Sequence, residues 1–282
     1  MQSFGHSVQR NSRVALAFLE RNFNLTKRYW AWELVWITYN IVNGISVTYI
    51  AAGANAVIPG FHISQSQLNT AILVLVIGTA VWSYISTCFD DVAMLFTIEK
   101  WEGTLEYTFM APIKRITMMF GASVYAVIHG FVLTAIQLVV MAMFFHIDLS
   151  QANFWTAIII LLLGTASFVG FGFITAVLPM LFTEYGDKMG FIVRSVILLV
   201  SGVYYPVTVL PKWMQTLSAI SPATYVLDGL RRSLINGQPI WQMWSSVIIL
   251  IISGAVSIPA GLWVFRKGEE YAKRTGKLKR NG

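Results

Sequence analysis

Cysteine is nearly absent from this chain: Cys88 is the only one in 282 residues. That excludes an intramolecular disulfide framework and a cysteine-based zinc site, and leaves Cys88 as a small packing residue near a helix end. Charge is scarce too. Charged residues make up 12% and hydrophobic ones 56%, whereas a soluble domain carries about a quarter charged residues and roughly half apolar ones. The length would allow one or two soluble domains, but the apolar runs leave too little polar sequence to build one. The four histidines, His6, His62, His129 and His146, fall on different segments, so metal-ligand spacing is missing. No set of residues suggests catalysis. No G-x-x-x-x-G-K-[ST] occurs, so the chain cannot cradle ATP phosphates as a P-loop does.

What the chain has in abundance is long apolar runs. A spanning helix needs about 20 mostly apolar residues, and six stretches meet or approach that: 32–54, 68–89, 118–145, 154–182, 189–205 and 241–265. The third and fourth are long enough to tilt or to project beyond the bilayer. The fifth is short and runs into Pro206. Pro259 is expected to kink the sixth. The first run follows a long polar and basic segment and is too long for the core of a signal peptide, so it is expected to stay as an anchor. The expected fold is an all-α integral membrane protein with six transmembrane helices, forming a single domain over 1–282.

The net charge is +7, but the cations gather at the two ends and beside the apolar runs. A solvated basic face with interleaved aromatics is missing, so no nucleic-acid partner is expected. Their distribution gives topology instead. With the N-terminus inside, segments 1–31, 90–117, 183–188 and 266–282 are cytoplasmic and hold sixteen of the 20 basic residues. Segments 55–67 and 146–153 hold none, and 206–240 holds Lys212, Arg231 and Arg232. Both termini are therefore expected in the cytoplasm, on a multi-pass protein of the plasma membrane.

Over 10–29, Leu16, Leu19 and Phe23 fall at i, i+3 and i+7 with Arg13, Arg21 and Lys27 around them. This spacing predicts an amphipathic helix in the membrane interface, its apolar face toward lipid and its cations toward headgroups; the alternative is an ordered basic tail. Trp30, Trp32 and Trp36 mark the inner aromatic belt. Small residues recur at every fourth position: Ala122, Ala126, Gly130 and Thr134, then Thr79, Ser83 and Thr87, then Ser253, Ser257 and Gly261. Such stripes let helix backbones approach closely and predict a compact bundle. Among polar groups in the spans, Asn40, Asn43 and His129 are expected to make hydrogen bonds in helix packing. Glu33 and Arg194 lie near the inner edge and could pair, as could Asp228 and Arg232 at i, i+4.

Two segments depart from these rules. The inner loop 90–117 carries Asp90, Asp91, Glu99, Glu102 and Glu106 against Lys100, Lys114 and Arg115, although an inner loop obeying topology alone would be basic. Read as one helix, Glu99, Glu102 and Glu106 make an acidic face, while Trp101, Leu105 and Phe109 make an apolar stripe. Pro112 stops it. Such a helix suits a groove on a cytoplasmic protein partner; the alternative is a helix lying on headgroups, which three glutamates disfavour. The outer segment 206–240 is too polar to span and too apolar for a solvated loop. Pro206, Pro211 and Pro222 divide it into two short helices, expected to be re-entrant or interfacial, with Asp228, Arg231 and Arg232 at or above the headgroups. Irregular backbone at that depth must be buried in protein or line a wet cavity, which puts it at the mouth of a pathway.

Together these segments resemble the type-2 permease family of ABC transporters, which is dominated by exporters. The first likeness is Glu99-Lys100-Trp101-Glu102-Gly103-Thr104-Leu105-Glu106, followed by Pro112. It is similar to the family's acidic helix before the third span, which in relatives touches the ATPase subunit. The second is Ser201-Gly202-Val203-Tyr204-Tyr205-Pro206, then Leu210-Pro211, Pro222-Ala223-Thr224-Tyr225 and Asp228-Gly229-Leu230-Arg231. The resemblance implies two permease copies, a homodimer, around a central path, each resting on a separate ATPase that binds ATP and Mg. It implies no cofactor and no catalytic residue in this chain. The family's path is lined by the second and fifth spans, which makes Thr79, Trp82, Ser83, Tyr84, Ser201, Tyr204 and Tyr205 the candidate pathway residues. Glu184 and Asp187 then become a second candidate ATPase contact. The aromatic character of these positions and of Phe89 favours an amphiphilic, drug-like or lipid-like cargo; a lipid-linked glycan is the alternative. A secondary transporter or channel would be expected to show internal repeats and midplane charge, and a membrane enzyme clustered His, Asp or Glu.

Overall fold

The structure, a computed structural model, describes residues 2–53, 64–145, 147–182 and 185–276. Ala54, His62, His146, Glu184 and the tail 277–282 lie outside the described residues, as do the side chains of His6 and Asp187. Every regular element among the described residues is helical. Helix α1 (Gln2–Arg28) turns at Tyr29 into α2 (Trp30–Ala52). Helix α3 (Gln65–Ala93) opens on a capping box between Ser64 and Gln67, which satisfies orphan amides at its first turn. Then come α4 (Leu95–Trp101), α5 (Leu105–Met110), α6 (Arg115–Phe144), α7 (Phe154–Thr175) and α8 (Leu178–Leu181). The chain finishes with α9 (Gly186–Ser201), α10 (Lys212–Ile220), α11 (Pro222–Ile235) and α12 (Trp244–Arg274).

Among the described residues, α2, α3, α6, α7 with α8, and α12 are long and apolar enough to cross a membrane, which makes five. The expected fifth run differs. Helix α9 has 16 residues, about 24 Å at 1.5 Å per residue, short of the roughly 30 Å hydrocarbon core. It stops because Gly202 adopts the left-handed conformation, φ +71, a common glycine cap, and Pro206 follows. The fourth run is also not one helix. Pro179 lacks an amide proton and its ring crowds the preceding turn, so α7 ends at Thr175 and α8 restarts with Pro179 in its first turn. The sixth begins at Trp244, because Trp241 sits in a 3-10 turn, and it runs on through Pro259 to Arg274.

The small-residue stripes are where helices touch. A Cβ on Gly261 of α12 would lie 2.4 Å from the Gly170 carbonyl of α7, and one on Gly170 would lie 2.4 Å from the Ser257 backbone. Gly130 of α6 faces Tyr84 and Cys88 of α3, and Gly44 brings α2 against Thr79, Gln137 and Met141. Helix α1 lies on the inner end of α6, with Gly121 against the Ala15 carbonyl and Phe18; its other side leaves Leu16 exposed. Two clusters follow. An outer one joins Ile77, Tyr84, Phe168, Val226 and Leu230. An inner one joins Phe96, Leu105, Met118, Phe173 and Phe265.

Candidate coupling surface and transport pathway

The inner loop is not the single helix its spacing predicts. Gly103 takes φ +70, a region open to glycine at no steric cost, and the chain breaks there into α4 and α5. The turn closes with Thr104 N–H on the Glu99 carbonyl at 2.9 Å and Gly103 N–H on Lys100 at 3.1 Å. The expected acidic face is therefore taken apart. Glu99 is fully buried, where it accepts from Arg21, from Thr104 at 2.5 Å and from Thr108 at 3.0 Å. Glu102 accepts from Arg28 at 3.1 Å and from the Tyr29 hydroxyl at 2.5 Å. Both carboxylates are spent on the α1 end of the chain, and Glu106 alone of the three stays exposed.

The apolar stripe is divided in the same way. Leu105 is buried, and Phe109 packs on Phe96 beneath the Arg115 guanidinium, which lies 4.6 Å from its ring centre. Trp101 remains exposed, joined by Tyr107 and Met110. Pro112 follows α5 as expected, and Ala111 before it is extended, as a residue preceding proline prefers. Arg115 fixes the segment from below. It donates to the Thr108 and Phe109 carbonyls at 2.8 and 2.6 Å and pairs with Glu269 of α12 at 3.3 Å. The outcome is a cross-braced knuckle whose open surface is Trp101, Glu106, Tyr107 and Met110.

Behind the knuckle lies a polar cluster that spacing does not reveal. His129 of α6 meets Asp91 of α3 at 2.8 Å and Glu33 of α2 at 3.3 Å, while Arg194 of α9 meets Asp90. The expected Glu33–Arg194 pair is thus not formed; each has another partner. Asp90 and Asp91 are neighbours in sequence, so these contacts tie α2, α6 and α9 to one level of α3. Ionisable groups held in membrane helices are expensive and pair with one another.

The candidate pathway residues separate into two groups. Thr79, Ser83, Tyr84 and Ser201 are buried, as is Phe89. Tyr84 shares a hydrogen bond of 2.7 Å with Thr165, which fastens α3 to α7, and Thr79 packs on Met141 of α6. Trp82, Tyr204 and Tyr205 are only partly covered, and Asn43 of α2 reaches the Tyr204 side chain. In the segment after α9, Pro211 immediately precedes α10 and Pro222 opens α11. Tyr225 donates to the Ala219 carbonyl at 2.7 Å, and Asp228 pairs with Arg232 at 3.0 Å. Arg231 has different partners from these two: it donates to the Gly202 and Val203 carbonyls at 3.1 and 2.7 Å.

Residues 14–235 match the model of the family described as ABC-2 type transporter. The chain belongs to the ABC-2 type transporter family. The inner membrane transport permease YadH of Escherichia coli K12 is 23% identical over 240 residues, which is 80% of this chain and 90% of YadH. YadH of Shigella flexneri matches to the same extent. The linearmycin resistance permease protein LnrN of Bacillus subtilis is 31% identical over 68 residues, 24% of this chain and 18% of LnrN.

The ABC-2 match begins within α1 and ends on Ile235, the last residue of α11. It therefore takes in the knuckle, the polar cluster and helices α10 and α11, and leaves 1–13 and 236–282 outside. An ABC-2 type chain is the membrane-spanning part of a transporter, and membership implies an ATPase as partner.

Proposed function

We propose that this chain is the permease subunit of an ATP-driven exporter, working on a separate ATPase that binds the ATP and Mg. The observation that carries this reading is the knuckle. Its exposed aromatic surface, Trp101, Tyr107 and Met110 beside Glu106, suits a groove on a cytoplasmic partner, and its underside is clamped by Arg21, Arg28 and Arg115. A push on that surface moves α1, α6 and α12 together as a rigid body. In this reading α9 serves as a short sixth span, α1 lies along the inner leaflet, and both termini face the cytoplasm in the plasma membrane. Helices α10 and α11 dip into the outer leaflet. The whole of 1–282 acts as one domain, and two copies meet around the path. The exposed polar Asn43 and the partly open Trp82, Tyr204 and Tyr205 are the path-facing groups, which favours an amphiphilic, drug-like or lipid-like cargo. The resistance permease among the relatives supports that choice over a lipid-linked glycan.

The test is co-purification with the cognate ABC ATPase in nanodiscs. Trp101→Ala combined with Tyr107→Ala is expected to weaken the complex at least tenfold, since buried aromatic anchors at interfaces are worth about 2 kcal/mol or more, while the chain keeps its elution profile. Cargo movement by the purified chain with no ATPase present would sink the reading. Stimulation of the complex by amphiphiles rather than glycolipids would identify the cargo class.

A further inference from the structure

The outer ends of α9, α10 and α11 converge on a point that the knuckle does not touch. A helix leaves its last carbonyls without partners of its own, and α9 is capped abruptly by Gly202. Side chains from elsewhere take up these oxygens. Ser218 of α10 donates to Val200 at 2.5 Å, Tyr205 donates to Leu199 at 2.5 Å, and Arg231 of α11 donates to Gly202 and Val203. On the far side of the Val203 carbonyl lies Gly78 of α3. A Cβ there would meet that oxygen at 2.5 Å and the Arg231 Nη2 at 3.1 Å. One carbonyl is gripped between the guanidinium of α11 and the bare backbone of α3.

This grip leaves the Arg231 guanidinium incompletely satisfied. Among the described residues no carboxylate lies within ion-pair distance of Arg231; Asp228 on its own helix pairs with Arg232 and acts on Arg231 only through its nearby charge. The buried Nε of Arg231 has no acceptor, and burial draws the pKa of the group below its ordinary value. A cation that is largely enclosed with one donor unmet has given up hydration without full return. It regains that hydration if α11 swings outward. The inner arginines differ: Arg21, Arg28 and Arg115 each hold a carboxylate.

We propose that Arg231 is a positioning residue that latches α10 and α11 closed over α3 through the Val203 carbonyl, and that releasing this latch opens the outer end of the bundle. The inference rests on the reading that α10 and α11 cap a path. Two carbonyls are held by one planar fork, so lysine can reach one of them and glutamine restores neither the reach nor the charge.

The experiment uses the full chain in nanodiscs, where both faces are open to reagent. Cys88→Ala removes the native thiol, and Val203→Cys places a reporter at a fully buried position. The readout is its rate of reaction with a membrane-impermeant maleimide. That rate is slow with Arg231 present. Arg231→Gln raises it roughly tenfold, within the usual range of conformational coupling, and Arg231→Lys falls between. Gly78→Ala keeps the arginine but pushes on the carbonyl, and it raises the rate as well. A Met118→Cys reporter in the inner cluster stays unreactive throughout. Unchanged reactivity at 203 in both Arg231→Gln and Gly78→Ala overturns the latch. An equal rise at 118 overturns it too, because the arginine would then support the whole fold. If Arg231→Gln does not fold, Gly78→Ala decides alone. The ATPase is absent from the assay, so failure of the latch and failure of the exporter reading, which is judged by ATPase binding, are told apart.

Discussion

The two ends of this bundle are held together by different chemistry. At the inner end carboxylate meets guanidinium across long stretches of chain: Arg21 with Glu99, Arg28 with Glu102, Arg115 with Glu269 and Arg194 with Asp90. At the other end, hydroxyls and one guanidinium donate to backbone carbonyls in the last turn of α9 and just past it. Breaking a buried pair by removing one partner costs about 3–5 kcal/mol. A neutral hydrogen bond contributes only about 1 kcal/mol net, and water can replace it at an outer surface. A stiff end at the knuckle and a yielding end at α10 and α11 accord with the proposed exporter, driven at the first end and releasing cargo at the second.

The largest expected effect is at the stiff end. Arg21→Ala strands Glu99, whose side chain is fully buried while that of Arg21 is 27% exposed. The partial exposure places the loss near the lower limit, about 3 kcal/mol, seen as a marked fall in the thermal midpoint of the purified chain. Arg21→Ala with Glu99→Gln is expected to recover part of it, because a neutral amide can keep the Thr104 and Thr108 hydroxyls without a stranded charge. Equal destabilisation by the single and double variants would refute the assignment of the cost to that charge. At the yielding end Ser218→Ala removes the bond to Val200 and the one to Met214 of its own helix. The expected loss is about 1 kcal/mol, with no change in ATPase binding.

How much of this was readable beforehand depends on sequence distance. The long helices follow from apolar runs, and the contacts of α7 with α12 follow from Ser257 and Gly261 four residues apart. Those signals are local. The Gly103 break was also present in the sequence, but helical periodicity on either side concealed it: a stripe through Trp101, Leu105 and Phe109 looks continuous until the glycine takes positive φ. The ion pairs were not readable at all. Glu99 and Glu102 find partners more than 70 positions away in α1, and His129 meets carboxylates on two other helices. Pairing of that kind is a product of packing. Arg231 belongs to the same class, since a charge counted as outer by topology serves two backbone carbonyls.

The smallest effects on stability sharpen the contrast most, because an ion pair with a largely exposed arginine can be compared at each end. Arg28 with Glu102 lies at the knuckle, and Arg232 with Asp228 lies on α11. Exposed pairs are worth about 0–1 kcal/mol, and an i, i+4 pair about 0.3–0.5 kcal/mol, so Arg28→Ala and Arg232→Ala should both leave the thermal midpoint almost unmoved. Their positions differ, however. Arg28 sits where α1 turns into α2, and in the proposed mechanism its loss frees one of the ties between the knuckle and the membrane helices. Arg232 joins two turns of a single helix and transmits nothing between elements. In reconstituted complexes Arg28→Ala should therefore lower the amphiphile-stimulated part of ATP hydrolysis while leaving ATPase binding intact, and Arg232→Ala should match the parent in both. If the two variants behave alike, position in the force path does not matter, and the division between a driven inner end and a yielding outer end loses its basis.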